Sequence, residues 1–301
     1  MKDGIINIYK EKDYTSFDVV AILRKKLHIK KIGHTGTLDP QAEGVLPICI
    51  GKATKAVDYL IDKQKTYVAT MKLGEVTDTQ DHTGTIIDAK EVHSSNEEIM
   101  KAIQSFIGPY SQIPPMYSAI KIGGKRLYEL AREGKIVERK ARDIVIYNIS
   151  DVSIKEAIVF FRVTCSKGSY IRTLCHDIGL ALGCGAHMTS LIREKSGDFD
   201  IQNSLKIDEL DQLISDNKLE DKIMNVDSVF QSYPKVIVSE ASNKYLYNGN
   251  KLKSDNLAEW VLLTEGIQYR IYDELNQFIG IYNCIKSEDD ELILKPKTLF
   301  I

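Results

Sequence analysis

Between Lys31 and Lys55 the chain gathers a histidine, an aspartate, four glycines and two prolines into one segment, Lys-Ile-Gly-His-Thr-Gly-Thr-Leu-Asp-Pro-Gln-Ala-Glu-Gly-Val-Leu-Pro-Ile-Cys-Ile-Gly-Lys-Ala-Thr-Lys. Each glycine or proline gives up regular pairing, so a segment serving only the core would not be punctuated this densely. Gly33 and Gly36 permit tight turns around His34, and Pro40 biases Asp39 toward an extended conformation on a loop. Asp39 is the only carboxylate between Asp18 and Glu43, and Lys30, Lys31, Lys52 and Lys55 lie near it in sequence. A carboxylate on a stiff loop in a basic neighbourhood can act as nucleophile or base toward an anionic ligand. An Asx-turn or a helix cap would use the same residue type, and both readings stay open here.

Two phosphate-loop readings fail. Gly44 to Gly51-Lys52 has six residues between the glycines where a Walker loop has four, and Ala53 occupies the Ser/Thr position. The phosphorylated loop of ion-pumping ATPases places its acceptor aspartate before the Thr-Gly-Thr run, and here His34 stands before Thr35-Gly36-Thr37. What the residues do match is longer. Gly33-His-Thr-Gly-Thr-Leu-Asp-Pro40, followed by Gly44-Val-Leu-Pro47 and Gly51-Lys-Ala-Thr-Lys55, resembles the signature of the TruB family of tRNA pseudouridine synthases. The resemblance implies that Asp39 is the essential catalytic residue.

The totals are compatible with that. A chain of 301 residues can hold one large core, or a large domain and a small one. With 43% hydrophobic and 27% charged residues it has the composition of a soluble globular protein. A net charge of -2 announces no nucleic-acid partner, but distribution matters more than the sum. Arg24, Lys25, Lys26, Lys30 and Lys31 precede the signature, and a second basic stretch runs from Lys121 through Lys125, Arg126 and Arg132 to Arg142. Acidic residues gather instead between Asp208 and Asp227. Charge runs are commonly solvated faces, so this pattern permits RNA binding without requiring it. Five cysteines at irregular spacing suit a reducing cytoplasm and form neither a disulfide framework nor a zinc motif. The N-terminal residues have no long apolar core of a signal peptide, and no apolar run approaches membrane-spanning length.

Further elements must position Asp39. Gly4 to Tyr9 reads as a strand, and Thr15-Ser16 cap a helix that buries Val19, Val20, Ile22 and Leu23. Ala53 to Ile61 reads as a helix and Lys65 to Leu73 as a strand whose alternation puts Tyr67, Ala69 and Met71 on one face. A strand tyrosine is commonly a half-buried sheet residue. Gly74 to Gly84 is a turn-rich loop resembling one the family carries there. Ser95-Asn-Glu-Glu98 is a capping box for a helix with Ile99, Ile103 and Phe106, closed by Gly108. The double proline of Gln112-Ile-Pro-Pro-Met-Tyr-Ser forces an extended run, and Gly123-Gly124 turns into a basic helix. Ile144–Ile149 and Ala157–Cys165 read as strands, and Ser166-Lys-Gly-Ser-Tyr-Ile-Arg172 as a turn opening a helix. Near that helix start Arg172 could meet Asp39, although a structural salt bridge is the default role of a lone arginine. Beyond an acidic helical stretch, Tyr233-Pro234 marks a boundary. Short strands follow at 236–238, 259–263, 268–272, 278–282 and 291–294, a pattern that suggests a small barrel-like module.

Gly168-Ser-Tyr-Ile-Arg-Thr-Leu174 and Gly185-Ala-His-Met-Thr-Ser-Leu-Ile-Arg-Glu-Lys-Ser-Gly197 also resemble family segments. The resemblance implies that Tyr67 lines the uridine pocket, Arg172 pairs with Asp39, Tyr170 flanks the pocket and Leu191 packs on the base. His34 would fill the space left by the flipped base. An isolated leucine is otherwise a core residue. Lys31, Lys121, Lys125 and Arg126 are plausible contacts to the RNA backbone. The expected fold is α+β, a largely antiparallel mixed sheet with flanking helices over residues 1–232, and a β-rich PUA-like RNA-binding module over 233–301. The expected activity is isomerisation of uridine 55 in the tRNA T-arm, by base flipping and an aspartate-dependent exchange of a C–N for a C–C glycosidic bond. Atoms are only rearranged, so no cofactor is expected. The expected protein is a cytoplasmic monomer whose partner is the T-arm stem-loop, with no obligate protein partner and no membrane. Three alternatives remain: a guide-RNA-dependent relative, a non-catalytic RNA-binding protein, and a carboxylate hydrolase, which would need a second facing carboxylate.

Overall fold

The structure, a computed structural model, describes residues 2–301; Met1, which the first expected domain includes, lies outside them. In chain order the elements are β1 (Gly4–Lys10), α1 (Ser16–Leu27), β2 (Ile32–His34), β3 (Glu43–Ile50), α2 (Val57–Ile61), β4 (Lys65–Leu73), β5 (Glu75–Thr77), β6 (Ile86–Ala89), α3 (Asn96–Gln104) and β7 (Gly108–Gln112). Next come β8 (Lys121–Ile122), β9 (Lys125–Arg126), α4 (Leu127–Arg132), β10 (Arg142–Lys155), β11 (Ile158–Cys165), α5 (Ile171–Ala181), β12 (Ala186–Ser196), β13 (Phe199–Asp200) and α6 (Glu209–Ser215). The tail holds β14 (Lys235–Ile237), α7 (Asn243–Tyr247), β15 (Gln268–Tyr272), β16 (Phe278–Lys286) and β17 (Leu292–Leu299).

One mixed sheet runs β1-β3-β12-β4-β11-β10-β7, with β2 added to β3 and β13 to β12. All its pairings are antiparallel except β3 with β12, which meet at Glu43 and Gly44. That parallel seam needs a long excursion between its strands. The excursion carries β4 to β11 and α5, so segments distant in sequence return to the signature. β4 alternates as expected, with Lys65, Tyr67, Ala69, Met71 and Leu73 all turned to the buried face. α1 starts at Thr15, whose hydroxyl accepts from the Asp18 N–H while the Asp18 carboxylate accepts from the Thr15 N–H, a reciprocal cap. Val19, Val20 and Leu23 are buried beneath it, and Ile22 lies half-buried at the edge of that face.

The helix opened by Ser95 ends at Gln104, earlier than expected. Phe106 lies past its end, and Gly108 opens β7 at φ 117 rather than closing the helix. The strand expected at 144–149 extends over Arg142–Lys155 because β7 and β11 pair with its two ends. Residues 53–61 divide into a 3₁₀ turn over Gly51–Ala56 followed by α2.

The tail forms a four-stranded sheet, β14-β15-β16-β17. The strand expected over 259–263 does not form: Trp260 and Leu262 are exposed and the segment has no ladder partner. Alternation cannot make a strand where no neighbouring edge is offered. The two sheets share a core. Phe230 is surrounded by Tyr59, Tyr233, Phe278 and Phe300, with ring centroids 5.0–6.1 Å away, above Val45 and Cys49 of β3. The tail therefore packs on the back of the strand that leads out of the signature. All five cysteines are unpaired and buried. Among the described residues no helix is long and apolar enough to cross a membrane.

Candidate active site

Asp39 stands on the loop between β2 and β3, and that loop is tied on both sides. Leu38 donates its N–H to the Ser16 hydroxyl of α1 at 2.9 Å, and Ala42 donates back to the Asp39 carbonyl at 3.0 Å. The Pro40 carbonyl accepts from the Asp13 N–H at 2.9 Å and from the Lys10 ammonium at 3.2 Å. Lys10 is fully buried and also donates to the carbonyls of Glu11 and Tyr14, while burial pulls its pKa down to about 8. Three backbone carbonyls thus hold one buried cation where the chain enters the Asp39 turn.

The carboxylate itself faces Arg172. Arg172 Nε lies 2.8 Å from Asp39 Oδ2, as an ion contact without hydrogen-bond alignment, and 3.7 Å from Asp81 Oδ2. Its two terminal nitrogens donate to the carbonyls of Thr79 at 3.0 Å and Tyr117 at 2.8 Å. Arg172 is only 3% exposed, whereas Asp39 is 38% exposed, so the arginine is fixed and the carboxylate still opens to solvent. A planar guanidinium can serve four oxygens at once because its donors project along several directions. A cap or Asx-turn would spend the Asp39 side chain on local backbone, and no such bond is made among the described residues.

Tyr67 and Leu191 complete one wall. Leu191 on β12 pairs with Ala69 on β4, and Arg193 pairs with Tyr67, so these four side chains share a face. Burial pushes the Tyr67 phenol above the ordinary tyrosine range, and the Arg193 guanidinium partly opposes that shift. Tyr170 is the residue before α5; its N–H and carbonyl are both bonded to the Gln112 side chain, and burial raises its phenol. His34 closes β2, and the Gly36 N–H donates to its Nδ1 at 3.3 Å. The ring proton of the neutral imidazole then resides on Nε2.

The basic residues lie elsewhere. Lys121, Lys125 and Arg126 are exposed on the β8–β9 hairpin, which follows the Tyr117 carbonyl held by Arg172. Lys125 pairs with Glu133 at 3.1 Å. Lys31 is exposed at the start of β2, and its carbonyl accepts from Gly51. Lys55, near Asp39 in sequence, turns away to the Leu299 carbonyl at 2.5 Å. Sequence reading missed Asp81, Lys10 and Arg193. The Asp78 to Gly84 run signals a self-bonded loop, and Asp81 Oδ1 does accept from Thr79, Thr83 N–H and the Thr83 hydroxyl. Nothing in that run reveals that its other oxygen turns toward Arg172.

Burial and the nearby Arg193 lower the His34 pKa, which has a consequence for pH. A histidine depressed in the folded state contributes stability that is full above its unfolded value, about 6.5, and is lost as pH falls through the lower folded value. Wild type is expected to lose thermal stability between pH 7 and pH 5 more steeply than His34→Gln. Parallel melting curves at the two pH values would refute the assignment.

The profile of the TruB family pseudouridylate synthase (N terminal domain) matches residues 24–171, and that of the tRNA pseudouridylate synthase B C-terminal domain matches 172–231. The chain is similar to tRNA pseudouridine synthase B of Clostridium novyi (strain NT), with 51% identity over 279 residues, 93% of this chain and 94% of that one. It is also similar to tRNA pseudouridine synthase B of Alkaliphilus oremlandii (strain OhILAs), with 48% identity over 287 residues, 95% and 94% of the two chains. Among solved structures it resembles a chain of "Structure of H/ACA RNP bound to a substrate RNA containing 2'-deoxyuridine", with TM-score 0.73 and 26% identity, covering 99% of this chain and 85% of that one. A chain of "Crystal Structure of a Cbf5-Nop10-Gar1 Complex" gives TM-score 0.73 and 27% identity over the same shares.

Proposed function

The chain belongs to the TruB family of pseudouridylate synthases, and from that membership we propose that it converts uridine 55 in the T-arm of tRNA to pseudouridine. The observation that carries the reading is the half-exposed Asp39 carboxylate, held by a buried arginine and near enough to act on Tyr67, which shares a sheet face with Leu191. Identity near one half to synthases named for tRNA, against about a quarter for the ribonucleoprotein chains, favours tRNA over a guide-RNA-dependent role.

A uracil stacked in a folded loop must leave the stack before its glycosidic bond can be reached. His34 at the rim takes the vacated space. Tyr67 and Leu191 receive the ring, and Tyr170 flanks it. Asp39 acts on the ribose or base as the bond from C1′ to N1 breaks. The uracil turns, C1′ bonds to C5, the C5 proton passes to the Tyr67 oxygen, and N1 takes a proton from solvent. The exposed cations of the β8–β9 hairpin and Lys31 meet phosphates, which positions the RNA without reading its sequence. Residues 1–232 form the catalytic domain. Residues 233–301 form a PUA-like module that adds RNA contacts, and the protein works as a cytoplasmic monomer.

The test is tritium release from tRNA transcripts carrying 5-tritiated uridine. Release from a transcript with uridine at position 55, and none from one with cytidine there, is the expected result. Tight tRNA binding without release would make the protein a non-catalytic RNA binder instead.

A further inference from the structure

Arg193 is 1% exposed, among the most deeply buried large side chains of the molecule. Its Nε donates to the Val45 carbonyl at 2.7 Å and one terminal nitrogen to the Gly36 carbonyl at 3.2 Å. Unlike Arg162 and Arg172, it makes no ion pair with a carboxylate among the described residues. A buried guanidinium served only by neutral groups, the two carbonyls and the Tyr67 phenol, is costly, because its solvation is lost and no opposite charge replaces it. Leucine or methionine would fill the space at lower cost. Its retention therefore points to something the charge does.

What surrounds it narrows the choice. Arg193 stands directly opposite Tyr67 across the β4–β12 ladder, on the same face. Its free edge turns toward Gly36, where a methyl group would stand 3.6 Å from Nη1. Its own backbone lies so close to Gly44 that a Cβ there would meet the Arg193 carbonyl at 2.3 Å, which fixes β12 against the start of β3. One side chain thus joins both ends of the segment that carries Asp39 to the strand that carries Tyr67. The charged and titratable groups acting on Tyr67 from the neighbouring elements are Arg193 from β12, Cys165 from β11 and Asp39 from the loop. Arg193 is the one cation among them. Of the other groups that feel its field, His34, Lys10 and Lys65 gain nothing from a nearby positive charge, and Cys165 is a thiol that burial keeps up at about 11 despite it.

We propose that Arg193 is the positioning residue for Tyr67: strapped to the carbonyls of Gly36 and Val45, its unpaired guanidinium holds the tyrosine oxygen beside the flipped base and stabilises it as the phenolate that accepts the C5 proton. This rests on the synthase reading above. The step balances simply. The C5–H bond breaks, its electron pair reforms the C5–C6 double bond, and the phenolate becomes a phenol. That phenol is the resting form again, its earlier proton having passed to solvent when the phenolate formed, and N1 has taken one up. In the phenolate state the buried cation gains the anion it lacks at rest, so its unpaired charge favours the reacting state over the resting one.

The test reads the phenol directly, without turnover. A fluorinated tyrosine of low intrinsic pKa is placed at position 67, and its ¹⁹F resonance is followed against pH. Arg193→Gln keeps a donor for one of the two carbonyls and removes the charge; Arg193→Met removes both. The expected titration midpoint rises by about one pH unit or more in each, the usual effect of removing a close opposite charge, and returns toward wild type in Arg193→Lys. A midpoint unchanged in a folded neutral variant overturns the proposal. Should both neutral variants fail to fold, wild type labelled at arginine Nε and Cζ decides it. The Arg193 resonances must then move with the midpoint of the Tyr67 probe, and fixed resonances overturn the proposal. Neither readout depends on the tRNA substrate, so failure of the synthase reading would show separately as absent tritium release.

Discussion

Asp39→Asn is expected to release no measurable tritium while still binding tRNA. The substitution keeps the shape of the side chain and removes one charge. The carboxylate is 38% exposed and makes no hydrogen bond that holds the loop, which is tied instead through Ser16, Asp13 and Lys10. Arg172 keeps Asp81 Oδ2 at 3.7 Å, so its buried charge is not left alone. Stability should therefore change by about 1 kcal/mol or less, the range of surface and partly exposed pairs. The rate should fall by about 10⁴-fold or more, as when a group acting on the reacting atoms is lost from a catalytic set. Single-turnover tritium release together with filter binding separates the two. Retained activity in the variant would place the chemistry at another residue.

Arg172 is expected to fail in the other direction, through structure as well as rate. Arg172→Met removes the partner of two carboxylates and leaves the Thr79 and Tyr117 carbonyls without their donor. Removing one member of a buried pair costs about 3–5 kcal/mol, and the lower end applies because Asp39 keeps contact with water. The cost should appear as a lowered melting temperature. Arg172→Lys retains a charge but concentrates its donors on one atom, so it cannot reach both carbonyls and Asp39 together. Misplacing a catalytic group by about 1 Å can cost 10²-fold, and the lysine variant is expected to lose rate on that scale with tRNA affinity kept. The Tyr117 carbonyl leads directly into the exposed basic hairpin, so the lysine variant should also lose protection of residues 117–126 in hydrogen exchange. Wild-type rate in Arg172→Lys would reduce the arginine to a structural tie.

The chemistry-bearing loop was legible from residue types alone. Gly36, Pro40 and Gly44 punctuate it, the two glycines at a positive φ that excludes most other side chains, whereas Gly33, expected to make a turn, lies in β2 with room for a Cβ. Gly44 lies at φ 106 against the Arg193 backbone, a position that requires no Cβ. The caps at Thr15 and Ser95 and the alternation of β4 were equally readable, since each is set by residues within one turn or one strand. Family likeness in four ordered blocks supplied the names of Tyr67, Tyr170, Arg172 and Leu191.

Sequence distance misled where charge was concerned. Four lysines near Asp39 in the chain suggested a basic neighbourhood, yet the cation that faces it comes from α5, and Lys55 is spent on the tail. The reason is the topology: β12 lies between β3 and β4 in one sheet and α5 precedes it, so return of the chain, not adjacency, decides which charge is near. The expected strand at 259–263 failed for a related reason, because a strand is defined by its neighbour and that stretch has none. Asp81, Lys10 and Arg193 are ordinary charged residues in the sequence. Only their burial makes them informative, and burial is a property of the packed sheet. Local turn chemistry thus determined where the site begins, and the sheet order decided which distant side chains complete it.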